Sequence, residues 1–134
     1  MRQRIILSVF VLLAIFISAS SFSRPKESSL AKLMGKMMVY IKTEEQNVAN
    51  NLPMQKYPRA FKKLPTAKES ANKTLSKEHQ EYAAKFMADL DAYYQTTGGD
   101  ARKLAFNNMV YSCIKCHQEE CPGPVSSIRT HLLK

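Results

Sequence analysis

The five residues Cys113-Ile114-Lys115-Cys116-His117 constrain this chain more than anything else in it. Two thiols at i and i+3 and an imidazole at i+4 share one face when the segment is helical. The C-x-x-C-H spacing is the attachment sequence of a c-type haem. Each thiol reaches one vinyl group to form a thioether, and the imidazole behind the second cysteine comes to lie under the iron. Other chemistries use parts of the same run. A bare C-x-x-C serves as a redox disulfide. Cys113, Cys116 and Cys121 with His117 or His131 are the right residue types for a Cys₃His zinc site. The Cys121-Pro122 end is similar to an iron–sulfur run, but the chain has only three cysteines and the fourth ligand is missing.

The compartment decides among these readings. Residues Met1–Ser23 read as a secretory signal: Arg2 and Arg4 give a positive start, Ile5–Ile17 is apolar apart from Ser8, and small residues follow at Ser18–Ser21 and Ser23. Cleavage is expected after Ser20 or Ser23, leaving a haem-binding helical bundle domain over residues 24–134. The apolar run is short for a span of about 20 residues, so a cleaved signal is expected rather than an anchor, with no stable membrane span afterwards. No cysteine stands near the cleavage site and the two arginines are not adjacent, which argues against a lipoprotein and a twin-arginine signal. The expected location is periplasmic or otherwise exported. An unfolded chain crossing a membrane would not carry a cluster assembled in the cytosol, so the iron–sulfur reading weakens. Thiols outside the cytoplasm tend to oxidise. Haem c, with its iron, is therefore the expected cofactor. Two cysteines taken by haem leave Cys121 over, as a free thiol, an intermolecular bridge or, the expected case, a small buried residue.

Charge adds a partner class. The formal net charge of +9 loses two arginines and no acid with the signal, giving +7 for the mature chain. A basic surface favours acidic partners, here acidic redox proteins or anionic headgroups. The lysines are scattered along helical segments, and the chain is exported, so a nucleic-acid role is not expected. Lys56, Arg59, Lys62 and Lys63 make one locally basic stretch, read chiefly as a solvated face. Four glycines without a Gly-rich loop, and no hydrolytic triad, give no support for an enzyme.

The periodicity is helical throughout. Leu30, Leu33, Met34, Met37, Ile41, Val48 and Leu52 predict a helix over Leu30–Asn51, with Ser28 or Ser29 as cap and Pro53 as stop. Glu44 and Glu45 are expected at the edge of that stripe. A short helix is expected around Pro58–Leu64 and a longer one over Lys77–Gln95, on the stripe Tyr82, Phe86, Leu90 and Tyr93. Gly98-Gly99 breaks the chain, and Asp100 is expected to cap a last long helix from Ala101 to about Glu119. On that helix Leu104, Ala105, Met109, Val110, Cys113, Ile114 and His117 broadly share a side. Pro122-Gly123-Pro124 ends it, and Ser127–Leu133 is expected to form a final turn. The fold class is all-α: a four-helix bundle with haem attached to the last long helix.

A C-x-x-C-H on the last helix of such a bundle resembles the cytochrome c′ family. The resemblance is carried by Leu33-Met34-Gly35-Lys36 on the first helix, by Ala105-Phe106, and by Ser112–His117, and it covers most of residues 30–118. It implies an electron-transfer protein if the distal side offers a methionine, as in the low-spin relatives. It implies a five-coordinate gas-binding protein if an apolar residue blocks that side. Met34 matches the ligand position by its Leu-Met-x-Lys setting, with Met37 and Met38 on neighbouring positions; ordinary core filling is the other use of methionine there. The metal ligands so implied are His117 and Met34. His79 and His131 are the remaining candidates for the distal position, His131 from the tail, but each is expected to be solvated. The resemblance further implies pairing of two copies through the first helices. The chain departs from the family by continuing past its motif to Lys134, a tail expected to cover a haem edge or to dock a partner.

Overall fold

The computed structural model describes residues 27–69 and 75–134. The signal assigned to Met1–Ser23 lies outside the described residues, as does part of the polar stretch before the second long helix. The described residues are all-helical, with no strand among them. The elements are α1 (Ser29–Ala49), a 3₁₀ helix (Arg59–Thr66), α2 (His79–Gln95), α3 (Gly99–Glu120) and α4 (Val125–Arg129).

Helix α1 starts where Ser28 caps it: the Ser28 hydroxyl accepts from the Ala31 N–H at 3.0 Å. It stops through a left-handed residue, Asn51 at φ 53°, a conformation asparagine tolerates. The Leu52 N–H returns to the Asn47 carbonyl at 2.8 Å and the Asn51 N–H to Val48 at 3.3 Å, so the last carbonyls are satisfied before Pro53 forbids continuation. The buried face carries Leu30, Leu33, Met37, Tyr40, Ile41, Glu44 and Asn47.

Helices α2 and α3 form an antiparallel pair, since Tyr93 meets Arg102 across the short connection and Asp89 meets Ser112 further along. Their junction needs glycine. Gly98 has φ 125° and Gly99 φ 60°, and Gly98, not Asp100, is the residue before the helix. Asp100 lies inside the first turn, where its charge favours the positive helix end without a side-chain cap. Leu104 is also displaced from the expected face and is 64% exposed. The reason is angular: Phe106, Met109, Val110 and Ile114 already fill the buried side, and Leu104 falls opposite.

The layers close as a ring. Helix α1 packs on α3, α3 on α2, and α2 on the 3₁₀ helix, which packs back on α1. The 3₁₀ segment thus takes a bundle helix's place. Its Phe61, fully buried, sits edge-on to Tyr40 at 5.5 Å and to Phe86 at 6.5 Å. Helix α4 folds back on α3 and buries Ile128. The tail beyond it is held at both ends. His131 Nδ1 lies 2.6 Å from Glu45 Oε2, and the Leu133 N–H and carbonyl both pair with the Asn107 side chain.

One end of the ring is locked by charge. Glu44 is 0% exposed, against the expectation that it marks an edge. Its Oε1 accepts from Asn47 Nδ2 at 2.8 Å and from the Gln55 N–H at 2.9 Å, and its Oε2 from the Tyr93 hydroxyl at 2.6 Å. The Arg102 guanidinium approaches Oε2 at 3.7 Å and donates to the Leu52 carbonyl at 2.6 Å. Burial and the neighbouring Glu44 push the Tyr93 hydroxyl well above the usual tyrosine range. A buried carboxylate is tolerable only with this many partners.

Candidate haem cleft

The other end of the ring is open and apolar. A cleft with an enclosed volume of about 50 Å³ lies between α1, α2 and α3. The α3 wall is Cys113, Cys116 and His117, and the facing α1 wall is Met34, Met37, Met38 and Ile41. Leu64, Phe86 and Ile128 close the sides. A second space of about 120 Å³ continues it toward the start of α1, and Met34, His79, Cys116 and His117 border both. The helical spacing explains the α3 wall: residues i, i+3 and i+4 fall together on the inner face, as the motif requires.

His117 is buried and its ring is held. Nδ1 lies 3.1 Å from the Cys121 carbonyl oxygen. A carbonyl only accepts, so Nδ1 carries the proton and donates it, and the neutral ring keeps its lone pair on Nε2. A backbone carbonyl fixing the tautomer of a metal-binding histidine is the usual supporting contact. Cys121 supplies that carbonyl, and its sulfur stands 3.4 Å from the same nitrogen. The leftover cysteine is therefore half-buried at the end of α3, with its backbone orienting the histidine.

The two motif thiols are half-buried and free. The Cys113 S–H donates to the Met109 carbonyl at 3.5 Å. Burial pushes the Cys113 thiol up to about 12, helped by Cys116. Burial, then Glu120 and Cys121, push the Cys116 thiol up to about 11. Reactive redox dithiols sit in the opposite setting, an electropositive one that lowers the thiol. Among the described residues no three His, Cys, Asp or Glu side chains gather so as to hold a metal ion, so the Cys₃His set does not assemble. The donor set fits a covalent haem better: two neutral thiols and a tautomer-fixed imidazole on one wall of an apolar slot.

The structure gathers most of the sequence candidates. Cys113, Cys116, His117 and Met34 all border the cleft, and so do the fallbacks Met37 and Met38. His131 does not; it is spent on Glu45 and is half-buried rather than solvated. His79, expected to be solvated, is the candidate whose burial the sequence reading did not foresee. It is 4% exposed and borders the cleft. The signal was present, because His79, Ala83, Phe86, Leu90 and Tyr93 repeat at helical spacing. Between α1 and the 3₁₀ helix, on the side of α1 turned away from Met34 and Met38, Lys32, Lys36 and Lys63 line a surface groove. Among the described residues no helix is long and apolar enough to cross a membrane.

No known protein family, curated protein or solved structure matches this chain.

Proposed function

We propose that this chain is an exported monohaem c-type cytochrome, related in plan to the cytochrome c′ bundle, that passes electrons between redox partners in the periplasm or an equivalent compartment. The observation that carries the reading is the common placement of Cys113, Cys116 and a tautomer-fixed His117 on one wall of an apolar cleft. Cys113 and Cys116 would hold the two thioethers, and His117 Nε2 would offer the proximal nitrogen. A haem c bound there supplies a one-electron ferric–ferrous couple.

The chain's own groups do the rest. The Cys121 carbonyl holds the Nδ1 proton of His117 and so keeps Nε2 directed as a donor. Ile41, Phe86, Val110 and Ile128 give the cleft an apolar lining, and an apolar site needs less rearrangement when charge changes. The resemblance implies Met34 for the sixth position, and Met34 borders the cleft on the α1 wall. The reading asks for no catalytic step, so the protein is a carrier and not an enzyme. The groove of Lys32, Lys36 and Lys63 between α1 and the 3₁₀ helix suits an acidic redox partner.

The test is an anaerobic redox titration with optical detection on the purified exported protein. The carrier reading expects a reversible one-electron transition and a low-spin spectrum in both states, with carbon monoxide binding slowly. A high-spin resting spectrum with fast carbon monoxide binding would move the protein to the gas-binding alternative.

A further inference from the structure

His79 sits where a solvated histidine would not. It is the first residue of α2 and occupies the buried register of that helix, four residues before Ala83 and seven before Phe86. Its Nε2 lies 3.1 Å from the Leu64 carbonyl oxygen of the 3₁₀ helix. As a carbonyl only accepts, Nε2 carries the hydrogen and the neutral ring leaves its lone pair on Nδ1. That Nδ1 is buried and has no hydrogen-bond partner. Folded proteins leave few buried polar atoms unpaired, and each exception calls for a cause such as a bound ion or cofactor.

The cleft is next to it. The His79 ring borders both parts of the cleft, in company with His117, Cys116 and Met34. The two histidines share one design. In His117 the Nδ1–H goes to the Cys121 carbonyl and Nε2 is left as donor. In His79 the Nε2–H goes to the Leu64 carbonyl and Nδ1 is left as donor. Histidines that bind metal characteristically give their other ring N–H to a carbonyl or carboxylate in this way. Met34, Met37 and Met38 carry no such mark, and methionine fills apolar walls without any ligand role.

We propose that His79 Nδ1, rather than the Met34 thioether, is the sixth ligand of the haem iron. The proposal rests on the haem reading above and revises one member of it. Two imidazoles would favour the ferric state more than an imidazole and a thioether do, because methionine ligation raises the potential. The carrier would then work at the low-potential side of what a methionine-ligated bundle reaches.

The test uses the exported, haem-loaded protein, with wild type, His79→Ala and Met34→Ala compared by near-infrared absorption, electron paramagnetic resonance and proton resonance of the ferrous state. The expected wild type is low-spin, lacks the sulfur-to-ferric charge-transfer band, and shows no methionine methyl shifted far upfield by the haem ring current. His79→Ala should lose the bis-imidazole signal, turning high-spin or gaining the sulfur band as Met34 moves in, and added imidazole should restore the low-spin signal. Met34→Ala should leave the resonance spectrum as it is. A wild type with the sulfur band and an upfield methyl, both lost in Met34→Ala, overturns the proposal, and so does a high-spin wild type. These wild-type readouts decide the matter even if His79→Ala does not fold. A chain that carries no covalent haem would show none of these signals, and would overturn the haem reading itself along with its sixth ligand.

Discussion

Replacing Glu44 by alanine should be among the most damaging single changes in the bundle. The substitution leaves the Arg102 guanidinium buried without its carboxylate, and strips an acceptor from the Tyr93 hydroxyl, Asn47 Nδ2 and the Gln55 N–H. Removing one partner from a buried ion pair costs about 3–5 kcal/mol. For a domain near this size, at about 4 °C per kcal/mol, the midpoint of thermal unfolding should fall by roughly 12–20 °C. Glu44→Gln keeps an acceptor oxygen and should fall less. A paired Glu44→Leu, Arg102→Leu variant should lose much less than the two single changes added together, because the stranded charge is gone. Far-ultraviolet dichroism melts of wild type, Glu44→Ala, Glu44→Gln, Glu44→Leu, Arg102→Leu and the paired variant measure this. Glu44 lies ten residues along α1 from Met34, or ~15 Å at the helical rise, so the haem spectrum should not change. A Glu44→Ala midpoint within about 4 °C of wild type, roughly 1 kcal/mol, would refute the reasoning. Strictly additive single variants would refute it as well.

Other expectations concern the cleft. His117→Ala should remove the proximal nitrogen and change spin state and potential together, and an unchanged spectrum would remove His117 from the ligand set. In the chain before haem attachment, the Cys113 thiol at about 12 stays protonated at pH 8. Alkylation should then run roughly two to three orders of magnitude slower than for a free cysteine and keep rising with pH up to about 11–12 instead of levelling near 9. Rapid labelling at pH 8 would mean that the cleft stands open. Lys32→Glu with Lys36→Glu should slow electron exchange with an acidic partner and weaken its dependence on ionic strength, whereas an unaltered salt dependence would move the docking face elsewhere.

Much of this architecture is legible in the sequence. The apolar stripes of α1, α2 and α3 give their extents to within two residues or so, because each buries a regular face and each ends at proline or glycine. The motif positions Cys113, Cys116 and His117 follow from helical geometry alone. What escapes is whatever depends on a distant partner. Glu44 lies on the buried stripe by register, but its burial is acceptable only because Tyr93 and Arg102, far along the chain, come to meet it. His79 likewise continues the α2 register, yet histidine at a helix start reads as solvated until Leu64 is seen to hold its ring. The role of Cys121 lies in a backbone carbonyl, to which residue type gives no clue. Asp100 was the stronger cap by residue type, and the left-handed backbone at Gly98 and Gly99 took that position instead.

The account stands or falls on a covalent haem. The direct measurement is haem-linked peroxidase staining of the exported protein on a denaturing gel, followed by peptide mass spectrometry, for wild type and for Cys113→Ala with Cys116→Ala. The account predicts a stained wild-type band and one haem added to the peptide containing Cys113–His117, with both lost in the double variant. A wild-type chain that emerges from denaturation unstained, with both thiols unmodified, would contradict it.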